Sequence, residues 1–281
     1  MKLLRYGPKG QERPAMLDGE GHMRDLSGHL ADITGDVLAV ERLAQLSRLD
    51  VASLPRVDGS PRLGPPVTGI GKIIAIGMNY RSHAVETGSA PRAEPLVFSK
   101  AITALSGPND PVMIPRGSTQ TDWEVELAVI IGSVTRYVDE NRALDFVAGY
   151  AVINDVSERS FQRERGGQFI KGKSADTFAP LGPWLVTRDE IPDPQKLALW
   201  LDLNGQRRQG ATTADMIFPV SYLISHVSQF MTLMPGDVIA TGTPAGVGFV
   251  MDPPGCLSPG SSVRIEIESI GTIENPVIAQ P

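Results

Sequence analysis

The 281-residue chain has a formal net charge of −6, a pI near 5.3 and a single cysteine, Cys256. No lysine or arginine cluster is long enough to track a phosphate backbone, so charge argues against nucleic acid and anionic membrane as partners. An internal disulfide is excluded, Met1–Tyr6 lacks the apolar core of a signal peptide, and no apolar run approaches the ~18 residues of a membrane span. The expectation is a soluble cytoplasmic protein.

In chain order, the first segment reads as a small strand-rich unit. Lys2 to Tyr6 is strand-like, Pro14 to Leu17 leads into an Asp18-Gly19 turn, and Ile33 to Leu46 can hold a short helix. Leu54 to Gly71 is dense in Pro, Gly and Ser and marks a boundary, dividing the chain into a small domain with its linker (1–70) and a large domain (71–281). Lys72 to Gly77 follows as a compact strand, then Asn79 to Glu86 as a short helix stopped near Gly88. Further strands are predicted at Leu96–Phe98, Val112–Ile114, Val125–Ile131, Tyr150–Asn154, Trp184–Val186, Leu197–Leu203 and Val238–Thr241. Val263–Ile267 alternates and should have one wet face. One long helix is predicted from Pro219, with Val220, Leu223, Ile224, Val227 and Met231 on its apolar side and Pro235-Gly236 at its end. Strands outnumber helices without regular alternation, which predicts a mainly β, α+β fold: a mixed β-roll or sandwich rather than a doubly wound sheet.

The richest chemistry lies in Asp122-Trp123-Glu124-Val125-Glu126-Leu127-Ala128-Val129-Ile130-Ile131. Alternation along a strand sends Glu124 and Glu126 to the same side. Two carboxylates entering a core repel each other and resist ionisation, a conflict that a hard divalent cation such as Mg²⁺ or Mn²⁺ resolves. The competing reading is a solvated strand edge. Asp155, at the end of the apolar run Ala148–Val156, can add a third carboxylate if its strand neighbours the first; alternatively it is a cap or turn residue.

A second constellation follows the Lys72–Gly77 strand. His83 and Glu86 are three apart on a helix, close enough for the carboxylate to orient the imidazole and raise its proton affinity. Such a pair draws a proton from water; an exposed helix pair is the plain alternative. Lys171, Lys173 and Lys100 can neutralise an anionic substrate or snorkel at the surface. The Thr241–Gly248 segment, TGTPAGVG, offers amides and hydroxyls suited to a carboxylate but lacks the lysine and spacing of a P-loop.

Taken together and in order, GMNYRSHAVE (77–86), PLVFSK (95–100), DWEVELAVIIG (122–132), NDVSERSFQ (154–162), KGKSADTF (171–178) and TGTPAGVG (241–248) resemble the fumarylacetoacetate hydrolase family over roughly residues 70 to 270. The arrangement is similar to bacterial members labelled ureidoglycolate lyase or 2,4-diketo-3-deoxy-rhamnonate hydrolase. The resemblance implies a mixed β-roll, a homodimer or dimer of dimers, and Mg²⁺ or Mn²⁺ held by Glu124, Glu126 and Asp155. It places a catalytic dyad on His83 and Glu86 and the active-site lysine on Lys173. Substrate contacts fall on Gln162, Thr243, Arg81 and Tyr80. The implied substrate is a small 2-oxo or 2,4-dioxo acid, and the implied reaction is hydrolysis of a carbon–carbon bond to pyruvate and a carboxylic acid. The same apparatus without water attack gives oxaloacetate decarboxylation, isomerisation or lyase chemistry. Two-metal phosphoryl transfer would need a further acidic ligand and phosphate-binding arginines, and a catalytically idle scaffold would keep the carboxylates for structure alone.

Overall fold

Two large sheets and a two-stranded ribbon make up the strands of the computed structural model, which describes residues 1–90 and 92–281. Across the larger sheet the order is Met23–Asp25, Arg13–Leu17, Lys2–Tyr6, Ala179–Thr187, Val147–Asn154, Val125–Ile131, Val238–Ala240, Ile73–Gly77 and Leu96–Lys100. The N-terminal strands thus extend the same sheet, through the antiparallel pairing of Lys2–Tyr6 with Ala179–Thr187. The smaller sheet runs Gln206–Thr212, Ala198–Leu203, Ser262–Ile267, Gly271–Ala279 and Val112–Ile114. Both sheets are mixed: Val238–Ala240 pairs parallel to Ile73–Gly77, and Gly271–Ala279 parallel to Val112–Ile114. The protein is a mainly β, mixed-sheet fold, as its strand-rich pattern predicts.

Every residue of Val125–Ile131 is buried, because neighbours on both edges and layers on both faces enclose it. That is why six of its seven residues are apolar without alternation, Glu126 being the exception. In the smaller sheet Ala198–Leu203 and Ser262–Ile267 alternate, with Leu199, Leu201, Val263 and Ile265 buried and the residues between them wetter. Their buried faces join the same apolar cluster as the larger sheet, so the two sheets pack face to face. Each fully buried Leu or Ile contributes about 1.5–3 kcal/mol by leaving water.

Three expectations change in detail. Ile33–Leu46 is not one helix: a 3₁₀ turn, Gly35–Leu38, is separated from the helix Val40–Leu46 by an extended Ala39. The long helix spans Val220–Phe230, with Pro219 as its N-cap rather than its first turn. It stops before Pro235-Gly236 because Met231 is already extended and Leu233 bridges to Thr135. Gln206–Thr212 and Gly271–Ala279 are strands that the pattern missed: the first is a polar, largely exposed edge, and the second contains Pro276. Among the described residues no helix is long and apolar enough to cross a membrane.

Candidate metal centre and active site

Strand register assembles the acidic cluster. Val125 pairs with Asn154 in the antiparallel ladder, so the next residues outward, Glu124 and Asp155, stand opposite each other. The ladder continues that one step: the Asp155 amide donates to the Glu124 carbonyl at 3.0 Å, and the Glu124 amide donates to the Asn154 side-chain oxygen at 3.1 Å. Directly opposed residues share a face, and Glu126 lies two residues along on that face. One oxygen from each of Glu124, Glu126 and Asp155 falls within 4.8 Å of the others, and all three side chains are buried.

The surrounding cations are distributed unevenly. Lys173 Nζ donates to Glu124 Oε2 at 2.7 Å and to Asp155 Oδ2 at 2.6 Å. Lys100 Nζ reaches Asp155 Oδ1 at 2.5 Å, and Arg159 Nη2 reaches Glu124 Oε1 at 2.6 Å. Burial opposes ionisation of Glu124, yet Lys173 and Arg159 outweigh it and hold its carboxyl at about 2. Glu126 has less help: Lys173 favours its charge from a distance, and among the described residues its hydrogen-bond donor is the Gly242 amide at 2.8 Å. Burial first, then Asp155 and Glu124, push its carboxyl well above the usual range. A buried carboxylate short of positive charge, beside two others and aimed at the same point, fits a hard divalent cation with oxygen ligands. Each carboxylate can accept several partners, so the lysine contacts leave room for an ion.

The helix Arg81–Glu86 presents the dyad. His83 Nδ1 lies 3.0 Å from Glu86 Oε2, and Glu86 Oε1 accepts from the Gly246 amide at 2.8 Å. With Nδ1–H directed at the carboxylate, Nε2 carries the lone pair. Glu86 therefore orients the imidazole and also ties the helix to the glycine-rich segment. That segment turns at Gly242 (φ +100°), where a Cβ would lie 2.7 Å from Asn79 Cβ. Asn79 itself is buried and holds the approach to the helix, donating to the Thr241 and Phe218 carbonyls and accepting from the Phe218 amide.

A cavity of about 620 Å³ opens over this cluster, and His83, Glu86, Glu124, Glu126, Gln162, Lys173 and Thr243 all line it. Asp155 lies behind them, within the acidic cluster. Gln162 accepts from Arg159 Nη1 at 3.3 Å, leaving its amide nitrogen for a ligand. The cavity does not reach Tyr80 or Arg81. Tyr80 precedes the first helical turn and its ring is wholly buried. Arg81 is turned away, donating to the Ala214 and Met216 carbonyls. Both are corrected from substrate contacts to supports of the helix. Lys171 is exposed and donates to the Arg165 carbonyl, while Lys100 is sealed behind Asp155 and does not line the cavity. Cys256 is exposed in a loop, and its thiol is pushed up by partial burial and by Asp122 and Glu158.

Three residues without a role in the sequence reading prove central. Asp122 accepts from Arg159 Nε and Nη2 and from the amides of Gly248 and Phe249, joining the glycine-rich segment to the acidic strand. Gln209 accepts from the Val125 amide and donates to Thr243 Oγ1 and the Pro244 carbonyl. Arg159 had a usable signal: an arginine three before Gln162, next to an acidic cluster in need of cations. Gln209 had none, since it lies on a polar edge strand with no pattern.

A buried trio of carboxylates that could hold a metal ion, beside an oriented histidine on mixed β-sheets, defines the class of an enzyme active site. The chain belongs to the fumarylacetoacetate hydrolase family: residues 72–278 match the family described as fumarylacetoacetate (FAA) hydrolase C-terminal. A Burkholderia lata relative, whose name gives a hydrolase without a substrate, is 56% identical over 272 residues, 96% of each chain. A fumarylacetoacetate hydrolase from the psychrophile Exiguobacterium antarcticum matches with a TM-score of 0.90 at 36% identity, covering 100% of both chains. A maleylpyruvate hydrolase from Sphingobium sp. SYK-6, solved in complex with manganese (II) ion and pyruvate, matches with a TM-score of 0.84 at 31% identity, again covering 100% of both.

Proposed function

We propose that the protein is a divalent-metal-dependent hydrolase that cleaves a carbon–carbon bond in a 2,4-dioxo acid, giving pyruvate and a carboxylic acid. The observation that carries this reading is one cavity lined by both a His–Glu dyad and an acidic cluster short of positive charge. Support also comes from the manganese and pyruvate held by the Sphingobium relative. Glu124, Glu126 and Asp155 would hold Mg²⁺ or Mn²⁺, which when bound supplies Lewis-acid stabilisation of negative charge developing on a substrate oxygen.

The chain's own groups do the rest. His83 Nε2 takes a proton from water as the water oxygen attacks the distal carbonyl, help typically worth about 10²–10⁴ in rate. The bond between that carbonyl carbon and its neighbour then breaks, its electron pair remaining on the pyruvate side as an enolate. Lys173, with its ammonium beside the carboxylates, offsets that charge, and the imidazolium returns its proton to the enolate carbon. Gln162 holds an oxo group through its free amide nitrogen. Thr243, fixed by Gln209, holds the substrate carboxylate. The assay is pyruvate release from acetylpyruvate by purified protein with Mg²⁺ or Mn²⁺, repeated with a chelator. Turnover of oxaloacetate with none of the acylpyruvate would replace hydrolysis by decarboxylation.

A further inference from the structure

The helix that carries His83 is held from outside the cavity. Arg81–Glu86 has six residues, far fewer than an isolated helix needs, and its N-cap, Tyr80, makes no side-chain hydrogen bond. The missing cap comes from a residue 133 positions away. Asp215 Oδ2 accepts from the Ser82 amide at 3.0 Å and from the Ser82 hydroxyl at 2.5 Å. That amide is the second of the helix, one of those an N-cap side chain ordinarily serves. Its residue adjoins His83. Neither Ser82 nor Asp215 lines the cavity, so any effect of Asp215 on the reaction passes through the helix.

Asp215 is itself firmly placed. It closes the 3₁₀ turn Thr213–Asp215, which follows the edge strand Gln206–Thr212 of the smaller sheet. Thr213 accepts the Leu197 amide on its hydroxyl at 3.0 Å, returns its own amide to the Leu197 carbonyl, and accepts from Gln195 on its carbonyl. On either side of Asp215, the Ala214 and Met216 carbonyls accept from Arg81. One residue further, the Ile217 amide donates to the Asn79 carbonyl at 2.7 Å. The start of the helix is therefore pinned to the smaller sheet, whereas its end is tied to the glycine-rich segment through Glu86 and Gly246.

We propose that Asp215 is a positioning residue for the reaction: it caps the dyad helix in trans and so fixes where the His83 imidazole stands over the acidic cluster. Both of its bonds converge on one oxygen, so the role calls for an acceptor at that point rather than for a negative charge. The proposal rests on His83 as the base in the reading above and adds the group that holds it in place.

Hydrogen exchange read by mass spectrometry reports opening of residues 81–86 with no substrate present. Asp215→Ala should speed exchange there by about five- to thirtyfold, the worth of a helix cap. Exchange in Val125–Ile131 and Mn²⁺ affinity should stay as in the wild type. With acetylpyruvate and Mn²⁺, kcat should fall by about tenfold or more while KM stays within about threefold, because a displaced base slows chemistry rather than binding. Asp215→Asn keeps an oxygen that can take both bonds, so its exchange and kcat should return to near the wild-type values. Ser82→Ala, which loses one of the two bonds, should show a smaller change in the same direction, and it carries the test where Asp215→Ala does not fold. Unchanged exchange at 81–86 in the alanine variants overturns the proposal, and so does a failure of Asn to rescue. Faster exchange throughout the large sheet with weakened Mn²⁺ binding also overturns it, since Asp215 would then support the fold at large. A wild-type protein that turns over no acetylpyruvate overturns the reaction assigned above, and exchange alone then decides whether Asp215 holds the helix.

Discussion

The Asp155 amide donates to the Glu124 carbonyl at 3.0 Å, one ladder step beyond the last paired residues of their two strands. That single backbone bond sets the two carboxylates opposite each other where the sheet gives way to the cavity. Asp155 is then locked from both sides by Lys100 and Lys173. Glu126, two residues into the strand, is left with one amide donor. The asymmetry makes Glu126 the group whose charge a bound cation must satisfy.

Replacing Glu126 by Gln keeps the side chain's size and its contact with the Gly242 amide but removes the charge. Mn²⁺ affinity should fall by about a hundredfold or more, as read by titration calorimetry, while circular dichroism stays unchanged. In the wild type, Mn²⁺ at a hundred times its Kd should add about 2.7 kcal/mol of stability. A chelator should reverse that gain. An unshifted melting temperature with Mn²⁺ would remove the metal from the account.

The same carboxyl sets a pH dependence. Folded, metal-free protein keeps a proton on Glu126 that the unfolded chain releases near 4.5. Above that pH the native state binds more protons than the unfolded state, so stability falls as pH rises, by at most about 1.4 kcal/mol per pH unit for one proton. The loss continues until the raised native pKa is passed. Glu124 acts oppositely: its contribution is present above the unfolded value and disappears as pH drops toward about 2. Thermal melts of metal-free protein over about pH 5 to 8 should slope downward, and Glu126→Gln should flatten the slope. Saturating Mn²⁺ should abolish the slope, because ion binding expels the proton and the unfolded chain carries none above its own titration.

How much of this was legible in the sequence depends on the distance over which each feature is encoded. Val125–Ile131 announces itself, since a strand enclosed on all sides must be almost wholly apolar, and the one acid within it, Glu126, stands out. The common side of Glu124 and Glu126 follows from strand alternation alone. Their meeting with Asp155 does not, because it depends on register between segments some 30 residues apart. Tyr80 and Arg81 were misread because a short helix shows which residues are near His83, but not which way the chain enters its first turn. The helices Arg159–Arg163 and Ile170–Lys173 are too short for any periodicity to reveal. Gln209 was invisible because its three hydrogen bonds all go to residues distant in sequence.

His83 and Glu86 should separate in their effects. His83→Asn removes the basic nitrogen, and kcat should fall by about 10²–10⁴ while Mn²⁺ affinity stays within twofold. Glu86→Gln can still accept from the Gly246 amide but holds the imidazole less firmly. Its kcat loss should be smaller, because the basic nitrogen remains and only its orientation is loosened. Equal losses in the two variants would make the pair a structural tie between the helix and the glycine-rich segment.

Gly172 permits the helix bearing Lys173 to sit against the helix bearing Gln162. A Cβ at Gly172 would lie 2.5 Å from the Glu158 carbonyl oxygen and 2.6 Å from Gln162 Cβ. The first of these is backbone, which cannot swing aside as a flexible side chain can. Gly172→Ala should therefore cost about 1–3 kcal/mol of stability by overpacking. It should also push the two helices apart, drawing the Lys173 ammonium from Glu124 and Asp155 and Gln162 from the cavity wall. Both residues serve the proposed reaction, so kcat should fall even where the variant remains folded. Lys173→Met gives the comparison: it removes the ammonium while leaving Gly172 in place, so it should lower kcat with circular dichroism unchanged. A Gly172→Ala protein that turns over like the wild type would show that the close approach of the two helices is packing alone.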